Sequence, residues 1–145
     1  MYSEGDFPSV QINRAKMILK SYFDKKAAEL GITGPQVPYI ALIAKSGEGI
    51  TQIEATRILG YDKANSSRVM SELENKQLIE KITQDKRTLI RLTSDGQEIA
   101  GKIREITQKW YKTSFEGIDK KDIEVFRRVK KKMLENCMKA IEEKL

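Results

Sequence analysis

Between Thr51 and Thr93 the chain passes from helical spacing to β-rich runs, and no other feature limits its possible folds as tightly. Helical spacing covers Thr51–Leu59 and Lys63–Asn75, with Gly60 breaking the chain between them. Thr51-x-x-Glu54 has capping-box spacing, and Asp62 stands where a side chain caps the second of these helices. Two runs rich in β-formers follow, Leu78–Thr83 and Thr88–Thr93, on either side of the polar turn Gln84-Asp85-Lys86-Arg87. The predicted order is helix, tight turn, helix, hairpin.

Elements on both sides extend this unit. Periodicity predicts a first helix over Ser9–Leu30, with Ala15, Ile18, Leu19, Tyr22, Phe23 and Ala27 on one face. Gly31, Gly34 and Pro35 close it, and a second helix follows over Gly34–Lys45. Thr33 and Gln36 have capping-box spacing at its start, and Pro38 falls just inside it. Thr93 caps a fifth helix striped by Ile99, Ile103, Ile106 and Trp110; beyond Gly117, Asp119 caps a sixth.

A winged helix needs only about residues 35–95, yet the first, fifth and sixth helices carry full apolar faces. In the sixth, Ile123, Phe126, Val129, Met133 and Cys137 form a stripe, which Leu134, Met138, Ile141 and Leu145 widen beyond one packing partner. Intertwined terminal helices in a twofold dimer would bury that surface; a larger monomeric core is the alternative. The expected fold class is mainly α with a small β-hairpin wing, a winged helix-turn-helix with N- and C-terminal dimerisation helices. A single domain is expected over 1–145, with the winged helix-turn-helix at 33–95 and the helical dimerisation part at 1–32 and 96–145.

Composition removes several function classes. Histidine is absent, which excludes Ser-His-Asp and Cys-His catalysis, and Cys137 is the lone cysteine, so no usual zinc shell and no internal disulfide can form. Its place on the apolar stripe predicts a buried structural thiol. No phosphate loop appears, since Gly47-Glu48-Gly49 is too short, and no cofactor is implied. The start MYSEGDFPSV lacks a signal-peptide pattern, and the longest apolar stretch, around Val37–Ala44, falls far short of the ~20 residues that span a bilayer. A cytoplasmic non-enzyme with no membrane partner is expected. The net charge of +6 favours an anionic partner. The densest basic run, Arg127–Lys132, shares its helix with the apolar stripe and reads as a solvated face.

Helix-turn-helix physics supplies that partner. The first helix braces the second, whose N-terminal residues reach base edges in the major groove of DNA. At 100° per residue, Ser66, Val69 and Leu73 fall on the buried side of Lys63–Asn75. Ala64, Ser67, Arg68 and Ser71 fall opposite, with Lys63 and Asn65 on the flanks. Arg68 suits guanine, Asn65 adenine and Ala64 a thymine methyl, whereas Ser71 is equally ordinary helix surface. At the hairpin, Asp85, Lys86 and Arg87 make a cationic tip suited to the minor groove, with Asp85 placed to orient Arg87. A solvated charged turn is the alternative.

In this order the chain resembles the MarR (multiple antibiotic resistance regulator) family of winged-helix transcription factors. The matching stretches are Ile32-Thr33-x-x-Gln36, Thr51-Gln52-x-Glu54, Asp62-Lys63, Leu73-Glu74, Asp85-x-Arg87 and Leu92-Thr93-x-x-Gly96. The departures are Gln77 where the family usually has glycine, Ser66 where it has an apolar residue, and Ala55-Thr56 where it has Leu-Ala. The resemblance implies a homodimeric repressor meeting palindromic double-stranded DNA. It implies Lys63, Asn65, Ser67 and Arg68 for the major groove and Arg87 for the minor groove. It also implies release by a small aromatic or phenolic effector, with Tyr22, Tyr39 and Ile43 as candidate lining or as ordinary core. A winged-helix module that contacts protein instead of DNA remains the competing expectation.

Overall fold

The structure, a computed structural model, describes residues 8–142; residues 1–7 and 143–145, with Leu145 of the expected stripe, lie outside the described residues. Among the described residues, six helices and two strands run in the order α1 (Pro8–Glu29), α2 (Gln36–Lys45), α3 (Gln52–Leu59), α4 (Lys63–Asn75), β1 (Ile79–Gln84), β2 (Arg87–Leu92), α5 (Ser94–Ser114) and α6 (Lys120–Glu142). The chain divides into two compact units, one ending at Ile106 and one beginning at Thr107. No helix among the described residues is long and apolar enough to cross a membrane.

The first unit holds a core built from Tyr39, Ile40, Ala55, Val69, Leu73 and Ile90 with their neighbours. These come from α2, α3, α4 and β2, so the buried sides of the helices and the inner face of the hairpin close on each other. β1 and β2 pair antiparallel, Ile79 opposite Leu92 through Gln84 opposite Arg87. A single antiparallel bridge joins Ile50 to Ile90, with Ile50 N donating to Ile90 O at 3.0 Å and Ile90 N to Ile50 O at 2.8 Å.

Local differences from expectation have local causes. α2 begins at Gln36, not Gly34, because Gln36 N and Val37 N bond back to Thr33 O and Gly34 O in a tighter turn. The expected four-residue hairpin turn contracts to Asp85-Lys86, both with positive φ (48° and 63°), a pairing that matches strand twist. Gln84 and Arg87 therefore belong to the strands.

α4 ends in a left-handed residue. Leu78 N donates to Leu73 O (3.0 Å) and Gln77 N to Glu74 O (2.9 Å), while Gln77 has φ 57°. A side chain in that region opposes the Cβ sterics that glycine avoids. Gln77→Gly is expected to raise unfolding stability by about 1 kcal/mol, read as a higher urea midpoint at unchanged slope. A lower midpoint would mean the glutamine side chain stabilises the junction.

In the second unit, Gly117 (φ 77°) separates the two helices. Phe115 stacks on Tyr111 (centroids 5.6 Å apart) and meets Phe126 edge-on at 6.1 Å. Phe126, Val129, Met133, Leu134, Met138 and Ile141 stand exposed along α6. Cys137 is exposed with them, not buried as expected, because nothing among the described residues covers the stripe it shares.

Candidate nucleic-acid interface

Three caps position α3 and α4. Thr51 Oγ1 accepts from Glu54 N (3.2 Å), and Glu54 Oε2 accepts from Thr51 N (3.0 Å) and Thr51 Oγ1 (2.8 Å), closing the capping box. Gly60, with φ 69°, ends α3 in a left-handed turn that an L side chain would strain. Asp62 Oδ1 then accepts from Asn65 N at 2.7 Å and starts α4.

Between the two helices lies a polar pair. Thr56 Oγ1 and Ser66 Oγ are 2.6 Å apart, and Thr56 Oγ1 donates its proton to Gln52 O at 2.7 Å. Ser66 is therefore the donor to Thr56. Two departures from the family pattern thus satisfy each other inside the core. The neighbouring Tyr39 hydroxyl is buried without a hydrogen bond, and burial pushes its ionisation above the usual tyrosine range.

On α4, Ser66, Val69 and Leu73 are buried, joined by Met70. Lys63, Ala64, Ser67, Arg68 and Ser71 are exposed, and Asn65 is half-buried. The outward face is therefore contiguous. Arg68 Nη2 donates to Asn65 Oδ1 at 3.0 Å, and Arg68 Nη1 lies 4.0 Å from Glu72 Oε1. Bidentate adenine reading by Asn65 needs its Oδ1 as well as its Nδ2. Arg68 occupies one lone pair of Oδ1, so in this conformation the two residues present their polar groups together as one array.

Asp85, Lys86 and Arg87 are all exposed at the wing. The expected pairing of Asp85 with Arg87 is replaced: Arg87 Nη2 donates to Glu54 Oε1 at 3.4 Å. One carboxylate thus closes the α3 cap with Oε2 and holds the wing arginine with Oε1. The Thr51 backbone N–H, then its hydroxyl, and the Arg87 charge hold the Glu54 carboxyl below the usual carboxylate range. Sequence reasoning placed Glu54 only in the cap. Its unused second oxygen was the signal for another partner.

Gln36, Glu72 and Lys76 were also missed as a group. Gln36 is 1% exposed, and its Nε2 donates to Glu72 Oε2 at 2.9 Å. The Thr33-Gln36 spacing was noticed, but Gln36 reaches the C-terminal half of α4 as well as its own helix start. Of the candidate effector residues, Tyr39 and Ile43 are in the core. Tyr22 is half-buried, edge-on to Phe23 with centroids 5.4 Å apart. Tyr39 stacks on Tyr61 at 5.8 Å, directly before the Asp62 cap.

The MarR family's sequence profile matches residues 30–88. No curated protein matches the chain. Among solved structures, the S. aureus MepR–DNA complex superposes with a TM-score of 0.83 at 22% identity, covering 93% of this chain and 99% of that one. A MarR transcriptional regulator from Methanosarcina mazei gives 0.83 at 22% identity, covering 94% and 93%. A putative MarR family regulator from Listeria monocytogenes, complexed with 26mer DNA, gives 0.81 at 25% identity, covering 87% and 85%.

Proposed function

With residues 30–88 matching the MarR family's profile and the fold shared with solved MarR structures along most of the chain, we propose that this protein is a dimeric, sequence-specific DNA-binding transcriptional regulator. It works in the cytoplasm as a repressor on a palindromic operator. The observation that carries this is the contiguous outward face of α4, made of the exposed Lys63, Ala64, Ser67, Arg68 and Ser71 with the half-buried Asn65, capped by Asp62 and joined in the same unit by the wing tip Asp85–Arg87. The MepR and Listeria relatives, both solved with DNA, support it.

Arg68, with Asn65 attached, takes a base edge in the major groove. Lys63 and the Ser67 and Ser71 hydroxyls hold phosphate or base groups beside it. Arg87 and Lys86 enter the adjoining minor groove, with Asp85 at the turn. Residues 33–95 act as the DNA-binding part, and the helices outside them dimerise. The uncovered apolar side chains of α1 and α6 support dimerisation, including Ile18 and Leu19 on α1 and Val129 and Leu134 on α6.

The regulating signal is a small aromatic ligand admitted near Tyr22, Tyr39 and Ile43. The Tyr39–Tyr61 stack beside the α4 cap, together with the unpaired Tyr39 hydroxyl, supports a path from that region to the recognition helix.

Selection of bound fragments from random duplex, followed by titration at several salt concentrations, tests this. A palindromic consensus is expected, with log affinity falling against log salt at about −0.9 per phosphate contact. Binding indifferent to salt, or no enrichment, would sink DNA recognition and favour a protein-binding wing.

Arg87 must leave Glu54 to enter a groove, so the carboxylate competes with DNA. Glu54→Gln retains a capping-box acceptor while removing the charge. It is expected to tighten operator binding about two- to fivefold, the scale of a surface ion pair. The gain should vanish in an Arg87→Ala background. An equal gain without Arg87 would mean simple phosphate repulsion.

A further inference from the structure

We infer that Glu72, anchored by the buried Gln36, is a positioning residue that sets the guanidinium of Arg68 for base selection. This depends on DNA recognition by α4 as proposed above. Gln36 makes three bonds through its amide: Oε1 accepts from Thr33 N (3.1 Å) and Lys76 Nζ (3.1 Å), and Nε2 donates to Glu72 Oε2 (2.9 Å). Lys76 Nζ donates as well to Gly31 O at 3.0 Å. The α1–α2 junction is therefore tied to the C-terminal half of the recognition helix.

That tie leaves Glu72 Oε1 facing Arg68 Nη1 at 4.0 Å, while Asn65 Oδ1 holds Arg68 Nη2 at 3.0 Å. Asn65 is itself fixed through its backbone N–H on Asp62. Both ends of the guanidinium thus face a polar group of α4, one of which, Glu72, is held from α2 by Gln36. A free arginine must surrender rotamer freedom when it docks on a base, whereas one already biased by such contacts has less to surrender. Bidentate contact with guanine depends on the plane of the fork, which a carboxylate on one arm orients.

The bracket also acts against wrong sequences. Glu72 adds a negative charge beside the phosphates that disfavours every duplex, and a well-oriented Arg68 overcomes it only where the matching base is present. Discrimination at one base pair is then a property of Glu72 together with Arg68. Gln36 keeps Glu72 from turning to solvent, and Lys76 shares the same amide.

The experiment compares wild type, Arg68→Ala, Glu72→Gln and the double variant. Each is titrated on the selected duplex and on one altered at the base pair where Arg68→Ala relaxes preference. Glu72→Gln is expected to lower discrimination at that pair about three- to tenfold, in the lower part of the range for coupling between neighbouring residues. Affinity for the altered duplex should hold or rise, and the double variant should lose no more discrimination than Arg68→Ala alone. Gln36→Glu retains acceptors for Thr33 and Lys76 but cannot donate to Glu72, and it should reproduce the loss.

Unchanged discrimination in Glu72→Gln overturns the inference, as does an equal loss with and without Arg68. A uniform loss of affinity on both duplexes would show a structural role only. If Arg68→Ala leaves the preference intact at every position, α4 recognition through Arg68 fails first, and Glu72 has nothing to position.

Discussion

Replacing Gly96 with alanine is expected to lower unfolding stability by about 3 kcal/mol, at the upper end for an overpacked site. An added Cβ would lie 2.0 Å from Leu78 O and 3.0 Å from Leu78 C. Both are backbone atoms, so no flexible side chain can yield. The carbonyl of Leu78 accepts from Thr93 N at 3.0 Å, and Thr93 Oγ1 donates to Gln77 O (2.6 Å) while accepting from Gly96 N (3.1 Å). Relief would require the start of α5 to move off the α4–β1 junction and break that set.

Gly101 supplies the control in the same helix, since a Cβ there meets nothing within 4 Å. Gly101→Ala should stabilise by up to ~1 kcal/mol through helix propensity. Urea unfolding of the two variants reads both effects, and a Gly96→Ala midpoint near that of wild type would show that the junction can open cheaply. Because the wing starts at this junction, weaker DNA binding should accompany the loss of stability.

Arg68→Ala is expected to remove about 1–3 kcal/mol of discrimination at one base pair in each half-site, the value of a bidentate base contact. A twofold dimer repeats the loss, so an operator with both half-sites should show roughly double the effect. Lys63→Ala should behave differently. A phosphate contact carries no base identity, so that variant should weaken all duplexes alike and reduce the salt slope by about one. Titration against duplexes altered one pair at a time separates the two patterns. A uniform loss for Arg68→Ala would place its guanidinium on the backbone.

Much of the local geometry of the candidate interface was legible because its signals are short-range. Thr51 with Glu54, Asp62 with Asn65, and Thr93 with Gly96 are contacts between residues three apart, and their spacing is visible in the chain. The buried side of α4 followed from helical period, including Ser66. Less visible was why a serine can be buried there, since its partner Thr56 lies ten residues away on another helix. The wing was placed correctly, but its turn was read two residues too long; no Asn-Gly or Gly pair marks Asp85-Lys86 as a left-handed turn.

Helix starts, the hairpin and the outward face of α4 thus follow from neighbours along the chain, whose geometry is set by caps and periodicity. The pairings of Glu54 with Arg87 and of Gln36 with Glu72, and the contact of Gly96 with Leu78, join residues far apart in sequence. Only packing of α2, α3, α4 and the hairpin into one core brings these groups within reach. A carboxylate or amide advertises its capacity to bond, but its partner is chosen by where the core places the other backbone.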